Sequence, residues 1–297
     1  MKIIILGAGA IGSLYGAKLS EINEVTLIAR KEHARAINQE GLRITGIEKG
    51  TYRLKAKEKI YDIEENTLVL LATKVYDSKQ AILDIKSLIR KDTIILCMQN
   101  GLYSEEIVKE IVGKKCKVLR AVTNFGAAFL EPGCIQYNSY SYTAIEKSPC
   151  SEEIAGIFTE CGLNGYVAEN IKEDMWKKLI LNCVLNPITS ILKIENRGIA
   201  DGKLMTLKKL IVLECLEVAR RDGVFLEGNF VKEIDDAIKN SSNISSMQQD
   251  LLKGKRTEIE YLNGAVAKLG KKYGIECNVN IALAMIIKEM EKFGYAD

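Results

Sequence analysis

Three polar residues in an apolar stretch of the chain have the spacing of one helix face. Lys178, Asn182 and Asn186 recur every four residues within the segment 176–187, WKKLILNCVLNP. A helix would place them in a line, while leucine, isoleucine and valine cover most of its other faces, as in a buried helix. A buried amine beside two amides is costly unless it is paired or acts on a substrate. The segment is therefore either part of a functional site or a core helix whose polar stripe meets another helix or solvent, and its spacing leaves both open.

The neighbours of this line refine the interpretation. Only Lys178 is aligned with both asparagines, because Lys177 points about 100° away around the helix axis. Pro187 lacks a backbone N–H, which frees the carbonyl four residues earlier and is expected to kink or end the helix beside Asn186. We therefore select Lys178 as the candidate functional lysine.

The composition excludes several classes of protein. A net charge of +3 over 297 residues gives no reason to expect a nucleic-acid or membrane-surface partner. The eight cysteines show no C-x-x-C spacing, so we expect reduced thiols in a cytoplasmic protein and no metal site. No secretory signal or membrane-spanning segment is expected, because glycines interrupt the first apolar run. The only histidine, His33, lies in a charged run and is expected at the surface, which leaves Lys, Asp or Glu as general acids.

A glycine-rich turn follows the first predicted strand. Residues 2–6 are apolar apart from Lys2, and GAGAIG follows at the start of a helix predicted to run to about Ser20. In this context the first glycine permits the turn, the second lets the backbone approach a pyrophosphate, and the third lets helix and strand pack closely. We therefore expect a dinucleotide cofactor at this turn, formed by Gly7, Ala8, Gly9, Ala10, Ile11 and Gly12.

The second predicted strand, 25–29, is followed by a basic residue at the position where NAD-binding folds usually carry Asp or Glu. Arg30 follows this strand, and a guanidinium suits the 2′-phosphate of NADP(H). The alternative is an ordinary surface cation. Lys74 ends a third apolar run, 67–74, at the sheet edge where doubly wound folds bind ligands.

The later apolar runs repeat this arrangement. Runs at 94–98 and 118–122 are each followed by a polar or glycine-rich stretch, QNG in one case and TNFGAA in the other. The alternation of strand, turn and helix is typical of a Rossmann-type α/β domain with a parallel sheet.

The remaining segments divide the chain into two predicted domains. Residues 41–59 are expected to form short strands, and the tyrosine-rich segment 134–145 is expected to form antiparallel edge strands. Strand signals stop near residue 170. We therefore predict a Rossmann-type domain at residues 1–168 and an all-helical domain at residues 169–297.

A polar segment in the second domain precedes another predicted helix. Residues 241–246 offer several N-cap candidates, and Met247 and Leu251 begin an apolar stripe. The backbone amides behind Ser246 would suit a carboxylate. Ser246 would equally serve as a simple helix cap, and the sequence does not separate the two.

Four motifs together resemble the ketopantoate reductase family, whose members are 2-dehydropantoate 2-reductases. They are GAGAIG at 7–12, QNG at 99–101, WKKLILNCVLNP at 176–187 and NISSMQQDLLKGKRTEIEYLNG at 243–264. Their order and approximate spacing match the family over essentially the full length. The resemblance implies NADPH-dependent reduction of the 2-oxo acid 2-dehydropantoate to pantoate, in pantothenate and coenzyme A synthesis.

The resemblance also implies roles for individual residues. The catalytic residues are expected to be Lys178, as general acid, and Glu258. Cofactor contacts are expected from residues 7–12 and from Arg30, Lys74, Asn100, Ala127 and Glu258. Substrate contacts are expected from Asn100, Lys178, Asn182, Asn186, Asn196, Asn243 and Ser246.

The chain departs from the family pattern in two places. Asp77 stands where a neutral hydrogen-bonding residue is expected after Lys74, and the loop around Asn196, KIENRG, differs from the family form.

Two alternatives to ketopantoate reduction stay open at this point. One is an NADPH-dependent reductase of another 2-oxo acid, because the catalytic residues do not define the side-chain pocket. The other is a non-catalytic NADP(H)-binding sensor, against which the retained lysine, asparagines, Ser246 and Glu258 speak. In the enzyme alternatives the partner is a small 2-oxo acid, and monomer and dimer are both compatible with the sequence.

Overall fold

The computed structural model describes residues 1–294, which group into two compact units. The first unit comprises residues 1–99 and 103–171, and the second comprises residues 100–102 and the chain from Lys172 onward. The second unit thus takes in a short segment, Asn100–Leu102, from the middle of the first. No helix in the described part of the chain is both long and apolar enough to cross a membrane.

The first unit contains one large and one small β-sheet. Its strands are β1 (Lys2–Leu6), β2 (Glu24–Ile28), β3 (Leu42–Gly46), β4 (Gly50–Tyr52), β5 (Lys55–Lys57), β6 (Thr67–Leu71), β7 (Ile94–Cys97), β8 (Lys117–Thr123), β9 (Gly126–Glu131), β10 (Cys134–Ser139), β11 (Thr143–Glu146) and β12 (Gly165–Ala168). The eight-stranded sheet has the order β12-β11-β8-β7-β6-β1-β2-β5, and the four-stranded sheet has the order β4-β3-β10-β9. The six strands from β8 to β5 in the large sheet are parallel, and β11 pairs antiparallel with β8.

Apolar clusters cover both faces of the parallel sheet. The helices of this unit are α1 (Ala10–Leu19), α2 (Lys31–Glu40), α3 (Ser78–Ile85), α4 (Ser104–Val112) and α5 (Ser151–Glu160). Ile3 and Ile5 of β1 lie in one core cluster with Tyr15 of α1, while Ile4 lies in another with Ile82 of α3. Successive side chains of a strand point to opposite faces, so a continuous apolar run needs cover on both. The predicted Rossmann-type α/β architecture is confirmed.

The chain after β8 departs from the predicted alternation. No helix follows β8; instead β9 pairs antiparallel with β10 in the small sheet. Pro132-Gly133 closes the turn between them, with Gly133 at a φ of +78°, and this is a hairpin signal that outweighs the repeat. The prediction of antiparallel edge strands at 134–145 is wrong in two respects. Both β10 and β11 lie inside their sheets, and each also has a parallel neighbour, β3 for β10 and β12 for β11.

The second unit is helical, as predicted for the second domain. Its helices are α6 (Ile171–Leu192), α7 (Met205–Arg221), α8 (Phe230–Ile238), α9 (Ser246–Leu252), α10 (Asn263–Tyr273) and α11 (Asn278–Phe293), with short 3₁₀ helices at Asn196–Ile199 and Ile259–Tyr261. Trp176 of α6 is buried and donates from Nε1 to Asp222 at 3.2 Å. Glu214 of α7 accepts from the first backbone amides of α11, including Val279 N at 2.9 Å. Such bonds satisfy helix-end donors that have no partner within the helix.

Candidate functional site

The glycine turn has no room for a side chain at Gly7 or Gly12, but it has open space beside Gly9. Gly7 has a φ of +103°, and a Cβ there would lie 2.6 Å from the Thr73 backbone nitrogen. A Cβ at Gly12 would collide with the carbonyl oxygen of Gly7, so α1 packs directly on the turn. A Cβ at Gly9 would meet no atom within 4 Å, at the N-cap of α1. The turn therefore fits the pyrophosphate of a dinucleotide, which residues 7–12 would hold.

Two hydrogen bonds join this turn to the end of β2. The backbone N–H groups of Gly7 and Ala8 donate to the carbonyl of Ile28 at 3.2 and 2.9 Å. Two residues later, Arg30 is exposed and extended at the N-cap of α2. Within residues 1–294 no carboxylate is in ion-pair range of its guanidinium. Arg30 is thus placed and chemically suited to meet a phosphate monoester.

The other two cofactor candidates of this unit lie on different elements. β6 ends at Leu71, and Lys74 is half-buried directly before a 3₁₀ turn, Val75–Asp77. Asp77 is exposed at the start of α3 and its side chain makes no cap hydrogen bond. Ala127 lies in β9 opposite Tyr137, and not in a turn after β8. The roles of Lys74 and Ala127 stay predictions.

His33 is buried, so the prediction that it lies at the surface is wrong. The residue is 4% exposed and lies in the first turn of α2. Nδ1 accepts a hydrogen bond from Gly133 N at 2.8 Å, and Nε2 lies 3.0 Å from Ser13 Oγ. The charged neighbours of His33 in sequence gave no sign of these distant partners. Burial lowers the pKa of His33 below its ordinary value.

The polar line predicted in the second unit is present on α6. Lys178 and Asn182 are half-buried and Asn186 is buried, so the line runs from partly exposed surface into the interior. Lys177 is exposed and lies 3.9 Å from Glu173 in an ordinary helical ion pair. The helix therefore distinguishes the two adjacent lysines, as the spacing predicted.

Pro187 does not end α6, which continues to Leu192. The carbonyl that the proline leaves without its helical donor belongs to Cys183, and Asn263 Nδ2 donates to it at 3.0 Å. The Asn263 side chain is fully buried and also donates to Asn280 Oδ1 at 2.9 Å. A side chain from α10 thus replaces the missing backbone donor, and of the two expected effects of Pro187, a kink or a helix end, the helix end is wrong.

Asn196 and Asn243 are brought together in this unit. The backbone N–H of Asn196 donates to the carbonyl of Asn243 at 2.9 Å, and Asn196 Nδ2 lies 3.4 Å from Ser241 Oγ. Asn196 Oδ1 is buried and has no hydrogen-bond partner within residues 1–294. A backbone hydrogen bond thus joins two residues that were predicted to contact the substrate, although the sequence around Asn196 departs from the family form.

Ser245, not Ser246, caps α9. The Ser245 hydroxyl accepts from Gln248 N at 3.3 Å and lies 2.9 Å from Thr189 Oγ1 of α6. Ser246 is the first residue of the helix and is exposed. The capping alternative for Ser246 is therefore wrong, which leaves its hydroxyl available for another partner.

Asn100 and Glu258 meet although 158 residues separate them. Asn100 Nδ2 donates to Glu258 Oε2 at 3.4 Å, and the Glu258 side chain is buried. The following residue, Gly101, has a φ of +76°, and a Cβ there would collide with the carbonyl oxygen of Tyr261. Leu102 N donates to that same carbonyl at 3.3 Å. The QNG motif therefore needs its glycine for close approach to the segment that carries Glu258.

Arg120 is a buried cation that the sequence analysis did not select. It is 3% exposed and donates from Nη2 to the carbonyl of Gln99 at 2.6 Å. Its Nη1 forms an ion pair with Glu105 at 3.1 Å and a hydrogen bond to Ser104 Oγ. Arg120 thus fixes the residue directly before Asn100. A charged residue in the middle of an apolar strand was the signal available in the sequence.

Lys208 of the second unit is a fully buried lysine that the sequence analysis also missed. Its Nζ donates to the carbonyl of Ile199 at 2.8 Å and forms an ion pair with Asp235. It therefore joins α7 to α8 and to the 3₁₀ helix that begins at Asn196. Its position in line with the apolar Ile211 and Cys215 of α7 was the signal available.

Two family models match almost the whole chain. The model described as "Ketopantoate reductase PanE/ApbA" matches residues 3–149, and the model described as "Ketopantoate reductase PanE/ApbA C terminal" matches residues 170–291.

Curated relatives match over nearly their full length. The 2-dehydropantoate 2-reductase of Pyrococcus horikoshii is 35% identical over 99% of both chains. The enzyme of that name from Archaeoglobus fulgidus is 31% identical over 98% of both chains.

Solved structures share the fold across both units. A ketopantoate reductase of the PanE/ApbA family from Ralstonia eutropha JMP134 has a TM-score of 0.89 and 29% identity, with 99% of each chain covered. A D-mandelate dehydrogenase in a ternary structure with NADH and anilino(oxo)acetate has a TM-score of 0.89 and 28% identity, with the same coverage.

Proposed function

The chain belongs to the ketopantoate reductase family, and from that membership we propose that it is an NADPH-dependent 2-dehydropantoate 2-reductase. It would reduce 2-dehydropantoate to pantoate for pantothenate and coenzyme A synthesis in the cytoplasm. The observation that carries the proposal is the line of Lys178, Asn182 and Asn186 on α6, which joins a proton donor to two amides. Full-length relatives of the same name support it.

We assign the two predicted domains different tasks in this reaction. Residues 1–168 would hold NADP(H), through the open glycine turn and through Arg30 at the 2′-phosphate, with Lys74 and Ala127 as further contacts. Residues 169–297, together with Asn100, would hold the 2-oxo acid. Its substrate contacts would be Asn100, Lys178, Asn182, Asn186, Asn196, Asn243 and Ser246.

The chemistry assigned to this chain is proton delivery and orientation. NADPH, when bound, supplies the hydride for the substrate carbonyl carbon. Lys178 would hold a proton on Nζ and pass it to the carbonyl oxygen, which becomes the hydroxyl of the product. The amides of Asn182 and Asn186 would donate hydrogen bonds to substrate oxygens and so fix the acid relative to that lysine. Glu258, held by Asn100, would orient the site from a second segment of the same unit.

A second candidate function is the reduction of a different 2-oxo acid. The D-mandelate dehydrogenase structure described above favours it, because that protein shares the fold over nearly the full length and is named for a different 2-hydroxy acid, mandelate. The polar line on α6 is suited to the 2-oxo acid group that such substrates share. It does not define what surrounds the side chain of the acid.

Turnover measurements separate these candidates. The purified protein would be assayed with 2-dehydropantoate and with phenylglyoxylate, the oxo acid corresponding to mandelate, each with NADPH and NADH, by loss of reduced-nicotinamide absorbance. We expect the highest kcat/KM for 2-dehydropantoate with NADPH. Higher kcat/KM for phenylglyoxylate would establish the second candidate, and tight NADPH binding without turnover of any oxo acid would indicate a sensor.

A further inference from the structure

The contacts of His33 show which ring nitrogen carries the proton and which parts of the fold the side chain binds. Nδ1 accepts from the Gly133 N–H at 2.8 Å, so the ring proton is on Nε2, which donates to Ser13 Oγ at 3.0 Å. The rings of His33 and Phe129 are in edge-to-face contact, with the centroids 4.9 Å apart. His33 is therefore fixed by two hydrogen bonds and one aromatic contact in a buried position.

The partners of His33 lie on the helix that follows the cofactor turn and on the small sheet. Ser13 directly follows Gly12 in α1, so its position is tied to that of the glycine turn. Gly133 lies in the turn between β9 and β10, and a Cβ on it would be 3.0 Å from the Cβ of Ala36 in α2. Helix α2 is thus held from α1 on one side and from the small sheet on the other.

Arg30 lies between two such attachments along the chain. Before it, the carbonyl of Ile28 accepts from Gly7 and Ala8, and after it, His33 bonds to Ser13. Both attachments lead to the glycine turn or to the helix that continues it. The backbone of Arg30 is therefore fixed relative to the pyrophosphate end of the predicted cofactor site, although its side chain is exposed.

We propose that His33 is a positioning residue that sets Arg30 against the glycine turn and thereby contributes to the preference for NADPH over NADH. The inference rests on the proposed function in one respect, namely that Arg30 contacts the 2′-phosphate. Because the backbone that carries the guanidinium is already fixed, less conformational entropy is lost when the side chain binds a phosphate. Loss of His33 would leave α2 free to shift, and only the ligand that uses Arg30 would bind more weakly.

The test is a cofactor titration, which needs no substrate. His33→Phe keeps a ring beside Phe129 and removes both hydrogen bonds. Dissociation constants for NADPH and NADH would be measured by protein fluorescence in wild type, His33→Phe, Arg30→Ala and the double variant. We expect His33→Phe to weaken NADPH binding roughly three- to tenfold, the scale of a poorly aligned charge-assisted hydrogen bond, with little change for NADH. In the Arg30→Ala background the same substitution should leave the NADPH-to-NADH ratio unchanged.

A second variant keeps the test decisive if His33→Phe does not fold. Ser13→Ala removes only the attachment to α1 and should weaken NADPH binding in the same direction, by a smaller factor. Equal weakening of NADPH and NADH would show a general packing role and overturn the inference, as would an undiminished effect on selectivity in the Arg30→Ala background. A wild-type protein that binds both cofactors equally would refute the Arg30 assignment itself and this inference with it. Failure to reduce any oxo acid would bear on the proposed function alone.

Discussion

At the scale of single residues, the adjacent lysines of α6 provide the sharpest prediction about the chemistry. Lys178→Ala should lower kcat by roughly a hundredfold or more, the usual scale for the loss of a general acid. Lys178 is in line with Asn182 and Asn186, so its removal takes the proton donor from the predicted substrate amides. The measurement is turnover at saturating NADPH and 2-dehydropantoate, with thermal melts to show that the variant is folded.

Lys177→Ala is the matched control for this prediction. Lys177 is exposed and makes only a helical ion pair with Glu173 at 3.9 Å, a type of interaction that contributes about 0–1 kcal/mol to stability. Its removal should leave kcat near the wild-type value. An inactive Lys177→Ala beside an active Lys178→Ala would overturn the helix-face argument.

The buried contacts of His33 and Asn263 could not be predicted from the sequence, and for both the physical cause is the same. His33 bonds to a backbone N–H that lies 100 residues away, and Asn263 bonds to a carbonyl 80 residues away. Backbone groups are present at every position, so such partners leave no pattern of residue types. Lys178 was found because its companions recur on the same helix at fixed spacing, which is information local to the sequence.

At the scale of secondary structure elements, the continuity of α6 through Pro187 depends on a side chain from another helix. We expect Asn263→Ala to lower the free energy of unfolding by about 1–3 kcal/mol, because the buried Cys183 carbonyl then loses its donor. Pro187→Ala restores a backbone N–H at that position and should make the same Asn263→Ala substitution less costly. Urea unfolding of the wild type, both single variants and the double variant measures this coupling.

Additive effects would contradict this explanation. If Asn263→Ala cost the same free energy with and without the proline, the hydrogen bond to Cys183 would not be what stabilises the helix. The remaining loss would then come from the second bond of Asn263, to Asn280 at 2.9 Å.

The start of α9 separates a structural serine from a predicted substrate contact. Ser245→Ala should lower the melting temperature, because it removes a helix cap worth about 1 kcal/mol. Ser246→Ala should leave the melting temperature unchanged and raise the KM for 2-dehydropantoate, with little change in the KM for NADPH. An unchanged KM for the oxo acid in Ser246→Ala would remove this residue from the substrate site.

Secondary structure elements were predicted most reliably where only one sequence pattern was present and no turn motif competed with it. Continuous apolar runs predicted β1, β6, β7 and β8, because a strand covered on both faces needs no polar alternation. The repeat failed at β9, where the Pro132-Gly133 turn favours a hairpin over a helix. The capping serine was not predictable because several adjacent residues satisfy the same cap pattern, and the choice of Ser245 depends on Thr189 in another helix.

At the scale of the whole molecule, the order of elements was more predictable than the grouping of the chain. The change from strands to helices near residue 170 is visible in the apolar periodicity, since periods of two and of 3.6 residues differ over a few turns. The membership of Asn100–Leu102 in the helical unit was not visible. It results from the close approach that Gly101 permits, and the motif alone shows only that a glycine is present.

The only histidine of the protein should contribute to the pH dependence of its stability. Burial holds the pKa of His33 below its ordinary value of 6.5, so the unfolded chain binds a proton before the folded protein does. Its neutral form therefore contributes stability in full above about pH 6.5, and this contribution is lost as the pH falls from there through the lowered pKa of the folded state. The slope attributable to one such group is at most about 1.4 kcal/mol per pH unit.

His33→Phe isolates this effect, because the chain has no other histidine and the contacts of His33 on α1 and the small sheet, Ser13, Phe129 and Gly133, carry no charge. The variant should be less stable than wild type near pH 8, since both hydrogen bonds are lost, but its unfolding free energy should fall less between pH 7 and pH 5. Urea unfolding at several pH values in that range measures the difference between the two proteins. If the unfolding free energies of wild type and variant changed equally with pH, His33 would take up no proton on unfolding. That result would contradict the assignment of a buried, neutral ring that accepts from Gly133.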